Sequence, residues 1–203
     1  MSTPTSIGII GAGGIGQAFA THAVKAGFDV LVSNSRGPET LAELVRQLGR
    51  TARAVSRQAA ARADVVFLSV QWQQLQAALS DLPPWDSRIL IDATNPVVDP
   101  DFRLADLNGS TSSEVVASLA PGARVVKAVN TLQRALLAAN PLQSGGRRVL
   151  FMSGNDAAAK AAVGDILDKL GFATIDLGPL ASGGRLQQFP GGPLPTLNLI
   201  KLA

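Results

Sequence analysis

The chain contains no cysteine and no tyrosine, and its 203 residues include a single histidine, His22. Without cysteine there can be no disulfide scaffold, no thiolate metal site and no thiol nucleophile. Without tyrosine, no mechanism can rest on a Tyr-Lys proton-donor pair. One histidine leaves a zinc centre or a Ser-His-Asp triad short of its ligands or base, so no metal site is expected. His22 lies in the amphipathic stretch "ATHAVKAG" and reads as a helix-surface or internally satisfied residue. Aromatic residues are also scarce, at 4%, and Lys and Arg are scattered rather than clustered. Nucleic-acid binding needs a basic stripe or an aromatic platform, and is not expected here. No apolar run reaches the roughly 18 residues of a membrane span. The start, "MSTPTSIGIIGAGG", lacks the charged head and long apolar run of a signal peptide, which makes a cytoplasmic location the expectation. The net charge of +3 suits an anionic small ligand.

What is present is a regular alternation. Strand-length apolar runs, "IGIIG", "FDVLVS", "ADVVFLSV", "RILIDAT", "RVVKAVN", "RVLFMSG" and "FATIDLG", are separated by helical segments such as "IGQAFATHAVKAG", "PETLAELVRQLG", "SSEVVASLA" and "AAAKAAVGDILDKLG". Strands that are apolar on both faces, placed between amphipathic helices, predict a mainly parallel sheet covered on both sides. This is a doubly wound, Rossmann-type α/β fold. The length suits one domain over residues 1–203, with a dinucleotide-binding core over about 1–150 and a C-terminal extension over about 150–203 that shapes an acceptor site. Two segments read as less regular, "QWQQLQAALSDLPPWDS" and the Gly- and Pro-rich tail from Gly178 onward.

The first strand runs into Gly11-Ala12-Gly13-Gly14-Ile15-Gly16, which opens a helix. In this context Gly11 permits the tight turn, Gly13 lets the backbone approach a pyrophosphate, and Gly16 allows helix and strand to pack closely. Unpaired amides at the helix start face the anion.

"SNSRGPET" ends the second strand, about 20 residues beyond the glycine turn, where an NAD-binding protein places a carboxylate for the ribose 2′-hydroxyl. Here Ser33, Asn34, Ser35 and Arg36 offer small polar groups and a guanidinium, which suit the 2′-phosphate of NADP. Pro38 then starts the next helix at a position where the missing N–H costs nothing.

The glycine turn, "NSRGPE", "LSVQW", "DATNP", "KAVNT" and "GPLASGGRL" together resemble the coenzyme F-420-dependent NADP reductases and their relatives, which include the NADPH-binding domain of membrane ferric reductases. The resemblance runs over nearly the whole chain. It implies a single-domain enzyme, often a homodimer, that passes a hydride between NADP(H) and a deazaflavin, coenzyme F-420, or a flavin-like small-molecule acceptor. It further implies that Ala12 to Ile15 meet the pyrophosphate and that Ser35 and Arg36 hold the 2′-phosphate. Thr40 takes a phosphate-side position where the family has Lys. Val70 and Gln71 lie along the cofactor, Gln71 where many members have Pro. Asn95 and Pro96 lie near the nicotinamide ribose and ring, and Ala128 beside the carboxamide. Gly183, Gly184 and Arg185 shape the wall facing the acceptor.

No side chain is assigned a catalytic role, because hydride transfer between stacked rings rests on proximity and on the cofactors' own electronics. If the substrate were a carbonyl, Lys127 would be the main candidate proton donor, although a strand-end lysine is more often structural. Two readings from other classes are a non-catalytic NADP-binding sensor or partner subunit, and a small carbonyl or imine reductase. Trp72, just past the fourth strand, is a candidate wall for an aromatic acceptor, and Trp85 reads as packing.

Overall fold

The structure is a computed structural model that describes residues 6–98 and 100–202. The chain alternates as read from the sequence. β1 (Ser6–Ile10) leads to α1 (Gly14–Lys25), β2 (Asp29–Ser33), a 3-10 turn (Pro38–Leu41), α2 (Ala42–Leu48), β3 (Ala52–Ala54), α3 (Arg57–Ala60) and β4 (Val65–Leu68). After a short 3-10 turn (Trp72–Gln74) come α4 (Leu75–Leu79), β5 (Ile89–Asp92), the small hairpin β6 (Val97–Val98) and β7 (Arg103–Leu104), α5 (Ser112–Leu119) and β8 (Arg124–Ala128). The last third holds α6 (Arg134–Ala138), β9 (Leu142–Gln143), β10 (Gly146–Gly154), α7 (Ala157–Lys169), β11 (Ala173–Asp176), α8 (Leu180–Gln187) and β12 (Ile200–Leu202).

The sheet order is β11-β10-β8-β5-β4-β1-β2-β3. From β3 to β8 every pairing is parallel, while β10 runs antiparallel to β8 and carries β11 parallel to itself. Apolar content tells a strand that it is buried on both faces but not which way it runs, and the direction of β10 becomes clear only in three dimensions. Every residue of β4 and β5 is buried. One face packs on α1, α6 and α7, where Phe19 stacks on Phe67 with ring centroids 3.9 Å apart. The other face packs on α3, α4, α5 and α8 and takes in Trp85. Local signals start two helices: Thr111 and Glu114 form a reciprocal capping box on α5, and Asp156 accepts the Ala159 N–H at the start of α7.

The tail is more ordered than its composition suggests. "GPLASGGRL" forms α8, because its two central glycines are buried and let the helix lie hard against its neighbours. A Cβ on Gly183 would stand 2.6 Å from Ser153 Cβ, and one on Gly184 would stand 3.1 Å from Thr111 Cβ. These glycines therefore face the protein interior. Arg185 is exposed and donates to the Gly109 carbonyl at 2.6 Å. Beyond α8 the chain returns across the sheet, where Thr196 N–H bonds the Thr131 carbonyl at 2.8 Å and β12 pairs with β10. The fully buried Arg148 grips this return, donating to Asn198 Oδ1, Gln143 Oε1 and the Leu136 carbonyl. Among the described residues no helix is long and apolar enough to cross a membrane, and no group of three metal-ligating side chains comes together.

Candidate functional site

The carboxyl ends of β1, β2, β4, β5 and β8 lie side by side, and in an open α/β sheet ligands bind in the crevice outside these ends. At the end of β1, Gly11 has φ +106°, and a Cβ there would stand 2.1 Å from the Ser69 carbonyl oxygen. A Cβ on Gly16 would stand 2.0 Å from the Gly11 carbonyl oxygen, so the first turn of α1 can sit this close only without a side chain. Gly13 differs: no atom lies within 4 Å of its Cβ position, which leaves the backbone open to an incoming group. The tight turn read for Gly11 and the close packing read for Gly16 match their surroundings. Ala12 and Ile15 pack partly against the core beside them, and Gly14 is the first residue of α1.

The polar loop after β2 divides into bracing and exposed residues. Ser33 is fully buried and donates to the Ile9 carbonyl at 2.8 Å, which ties β2 to β1 and makes it unavailable to a ligand. Asn34 is largely occupied inside the loop, accepting from Arg36 N–H at 3.0 Å and donating to Thr40 Oγ1 at 2.8 Å. Thr40 donates in turn to the Gly37 carbonyl at 2.8 Å. Ser35 and Arg36 stay exposed, and among the described residues Arg36 makes no ion pair. Gly37 has φ +100°, and a Cβ on it would meet the Glu39 carboxylate at 2.3 Å. The sequence alone does not single out Glu39. Folding brings its carboxylate back over Gly37, next in the chain to Arg36.

At the end of β4, Val70 borders the glycine turn, its Cγ1 3.0 Å from a Gly11 Cβ position. Gln71 follows with φ −65° and ψ 147°, a conformation that proline also adopts, so the exchange leaves the backbone path unaltered. Trp72 is half-buried against the second core face.

The ends of β5 and β8 are joined by two polar networks. In the first, Asn95 Nδ2 donates to the Asn130 carbonyl and Asn130 Nδ2 returns a bond to Asn95 Oδ1, both at 2.9 Å. Pro96 is buried beside this pair. Ala128 is fully enclosed and registers with Met152 of β10, so its methyl is shut away from the crevice. The residues that follow it are unusual. Val129, β-branched and buried, has φ +67°, a conformation costing on the order of 1 to 3 kcal/mol. The hydroxyl of the buried Thr131 has no hydrogen-bond partner among the described residues. In the second network, Lys127 Nζ is fully buried and bonds Asp92 Oδ2 at 3.4 Å, the Thr94 carbonyl at 3.0 Å and Ser112 Oγ at 3.0 Å. Ser113 and Thr94 supply further donors to Asp92. With every proton engaged and no exposure, Lys127 is a structural cation.

His22 lies behind the crevice, buried, with Nε2 2.8 Å from the Leu137 carbonyl oxygen. A carbonyl only accepts, so Nε2 carries the proton. A concavity of about 660 Å³ lies at β9, β10 and β12, away from the carboxyl ends of the parallel strands.

Comparison with known proteins agrees with this geometry. Residues 6–96 match the family described as NADP oxidoreductase, coenzyme F-420-dependent. The chain is 43% identical to a hypothetical protein, SMa0349, of Sinorhizobium meliloti, covering 98% of this chain and 96% of that one with a TM-score of 0.92. It is 28% identical to a protein of Arthrobacter sp. FB24 assigned as an F-420-dependent NADP reductase, with a TM-score of 0.75 over 87% and 86% of the two chains. It is also 30% identical over 94% of its length to the rat metalloreductase STEAP3, of which it spans 37%. The chain thus covers little more than a third of the curated relatives it matches. The glycine turn and the polar loop after β2 lie within residues 6–96, the part of the chain that matches the coenzyme F-420-dependent NADP oxidoreductase family.

Proposed function

We propose that this protein is an NADPH-dependent oxidoreductase that transfers a hydride between NADP(H) and a deazaflavin or flavin-like acceptor. The observation that carries the reading is the unpaired Arg36, held exposed by the Asn34-Thr40 brace at the end of β2, beside the open Gly13 turn. The residues present suit the cofactor: a backbone cradle that a side chain would fill, an unpaired guanidinium where a 2′-phosphate belongs, and an orphaned Thr131 hydroxyl after β8. Bound there, the nicotinamide supplies the hydride. The chain's own part is to bind and orient. Glycine-turn amides take the diphosphate, Ser35 and Arg36 take the 2′-phosphate, and the Asn95-Asn130 pair holds the two strand-end loops in register.

The buried, ion-paired Lys127 weighs against a carbonyl or imine substrate, since the main candidate proton donor has no path to a ligand. A homodimer belongs to the same reading, and the exposed Leu142 and Leu202 beside β10 support a partner surface that sedimentation equilibrium would test. The decisive experiment is NADPH oxidation followed at 340 nm with coenzyme F-420, FMN, FAD, a quinone and a ferric chelate in turn. Turnover with a deazaflavin or flavin supports the proposal. Binding of NADPH without turnover on any acceptor replaces it with a sensor or partner subunit.

A further inference from the structure

We infer that Arg134 is a second cofactor-binding cation, gripping the diphosphate from the wall opposite the glycine turn. The inference rests on the NADP reading above and names a residue that the sequence motifs do not contain.

Arg134 begins α6, four residues after Asn130, and its side chain lies directly on the first residue of α1. A methyl group on Gly14 would stand 2.4 Å from Arg134 Cδ and 2.9 Å from Nε. A side chain on Gly14 would have to displace the Arg134 stem. This contact holds the guanidinium within a few ångströms of the first turn of α1, whose leading N–H groups have no partners within the helix.

Arg134 is exposed, and its position adds a second positive charge at the anion-binding end of α1. The N-terminus of a helix carries partial positive charge, and a cation is favoured at the opposite end. The first turn of α1 has no acidic residue. Among the described residues Arg134 makes no ion pair and no side-chain hydrogen bond. The groove of about 250 Å³ beside it, between α1, α2 and α6, is lined otherwise by uncharged residues, Gln17, Thr21 and Gln47 among them. No carboxylate competes for the guanidinium. In the preceding loop the buried Thr131 hydroxyl has no hydrogen-bond partner among the described residues. A diphosphate seated on the glycine turn supplies the negative charge.

Two arginines then divide the cofactor between them. Arg36 reads the 2′-phosphate, present only in NADP(H), and Arg134 reads the diphosphate, common to NADP(H) and NAD(H). The test is calorimetric titration of wild type, Arg134→Ala, Arg134→Lys and Arg36→Ala with NADPH, NADH and adenosine 2′-monophosphate, with circular dichroism to verify the fold. Arg134→Ala should weaken NADPH and NADH by the same factor, about tenfold, and leave adenosine 2′-monophosphate unchanged. Arg134→Lys should recover part of the loss, because it keeps the charge without the fork. Arg36→Ala should show the reverse selectivity. Dinucleotide affinities of Arg134→Ala within twofold of wild type, or a loss confined to NADPH, would overturn the assignment while leaving the NADP reading intact. Failure of the wild type to bind either dinucleotide would overturn both.

Discussion

Asn130 and Gln187 hold each other by two hydrogen bonds across 57 residues of sequence: Asn130 Nδ2 donates to the Gln187 carbonyl at 2.7 Å, and Gln187 Nε2 donates to Asn130 Oδ1 at 3.2 Å. Gln187 is fully buried and also donates to the Phe151 carbonyl, while its Oε1 accepts from Ser153. Through this pair the last helix is latched to the loop after β8, which is in turn paired with Asn95. Gln187→Leu leaves the Ser153 hydroxyl and Asn130 Oδ1 each short of a partner, and should cost about 1 to 3 kcal/mol. Urea denaturation checks the loss. Limited proteolysis should show faster cleavage beyond residue 187, and an unchanged digestion pattern would remove the latch role.

Arg36 governs cofactor choice in the proposed function. Arg36→Ala should weaken NADPH by about 1 to 3 kcal/mol while changing NADH little, an effect that shrinks as salt is added because the residue is exposed. Equal weakening of both cofactors would show that the guanidinium does not meet the 2′-phosphate. Glu39→Gln removes the carboxylate folded over Gly37 and should tighten NADPH more than NADH.

The buried Lys127-Asp92 pair should act on stability. Lys127→Met strands the Asp92 carboxylate in the interior and should cost about 3 to 5 kcal/mol. The double variant Lys127→Met/Asp92→Leu removes both charges and should lose less than the sum of the single changes in urea denaturation. Near-neutrality of Lys127→Met would contradict the pairing.

His22 gives a signed pH dependence. Burial is the main cause that holds its imidazole below the ordinary value of 6.5, with the nearby Lys25 acting in the same direction and the Leu137 hydrogen bond against it. As pH falls below about 6.5, the unfolded chain takes up a proton that the folded one does not, so this residue's contribution to stability is lost on acidification. His22→Gln should show a shallower decline in urea midpoint between pH 7.5 and pH 5.5 than wild type. Identical slopes would exclude His22 as the source.

Two glycines in helices predict opposite outcomes. Gly183→Ala drives a methyl group to 2.6 Å from Ser153 Cβ and should destabilise by about 1 to 3 kcal/mol. At Gly164 in α7 the nearest atom, Met152 Cε, is 3.7 Å away, and Ala there should stabilise by about 0.5 to 1 kcal/mol. Thermal unfolding of the two variants decides both.

The features legible along the chain are those whose cause is local. The glycine turn follows from a positive φ and a backbone approach that only glycine accepts, the α/β alternation from apolar runs that must be buried on both faces, and the exposed Ser35 and Arg36 from their place after an apolar strand. Tertiary structure decided the rest, because burial and pairing depend on groups distant along the chain. It turned β10 against β8, made a helix of a tail rich in glycine, enclosed Lys127 against Asp92 and removed Ser33 from the set of ligand-facing residues. It also carried Arg134 to Gly14 and Gln187 to Asn130. A strand-end motif is legible because neighbouring residues share one local geometry, whereas a contact across 57 or 120 residues exists only once the sheet has formed.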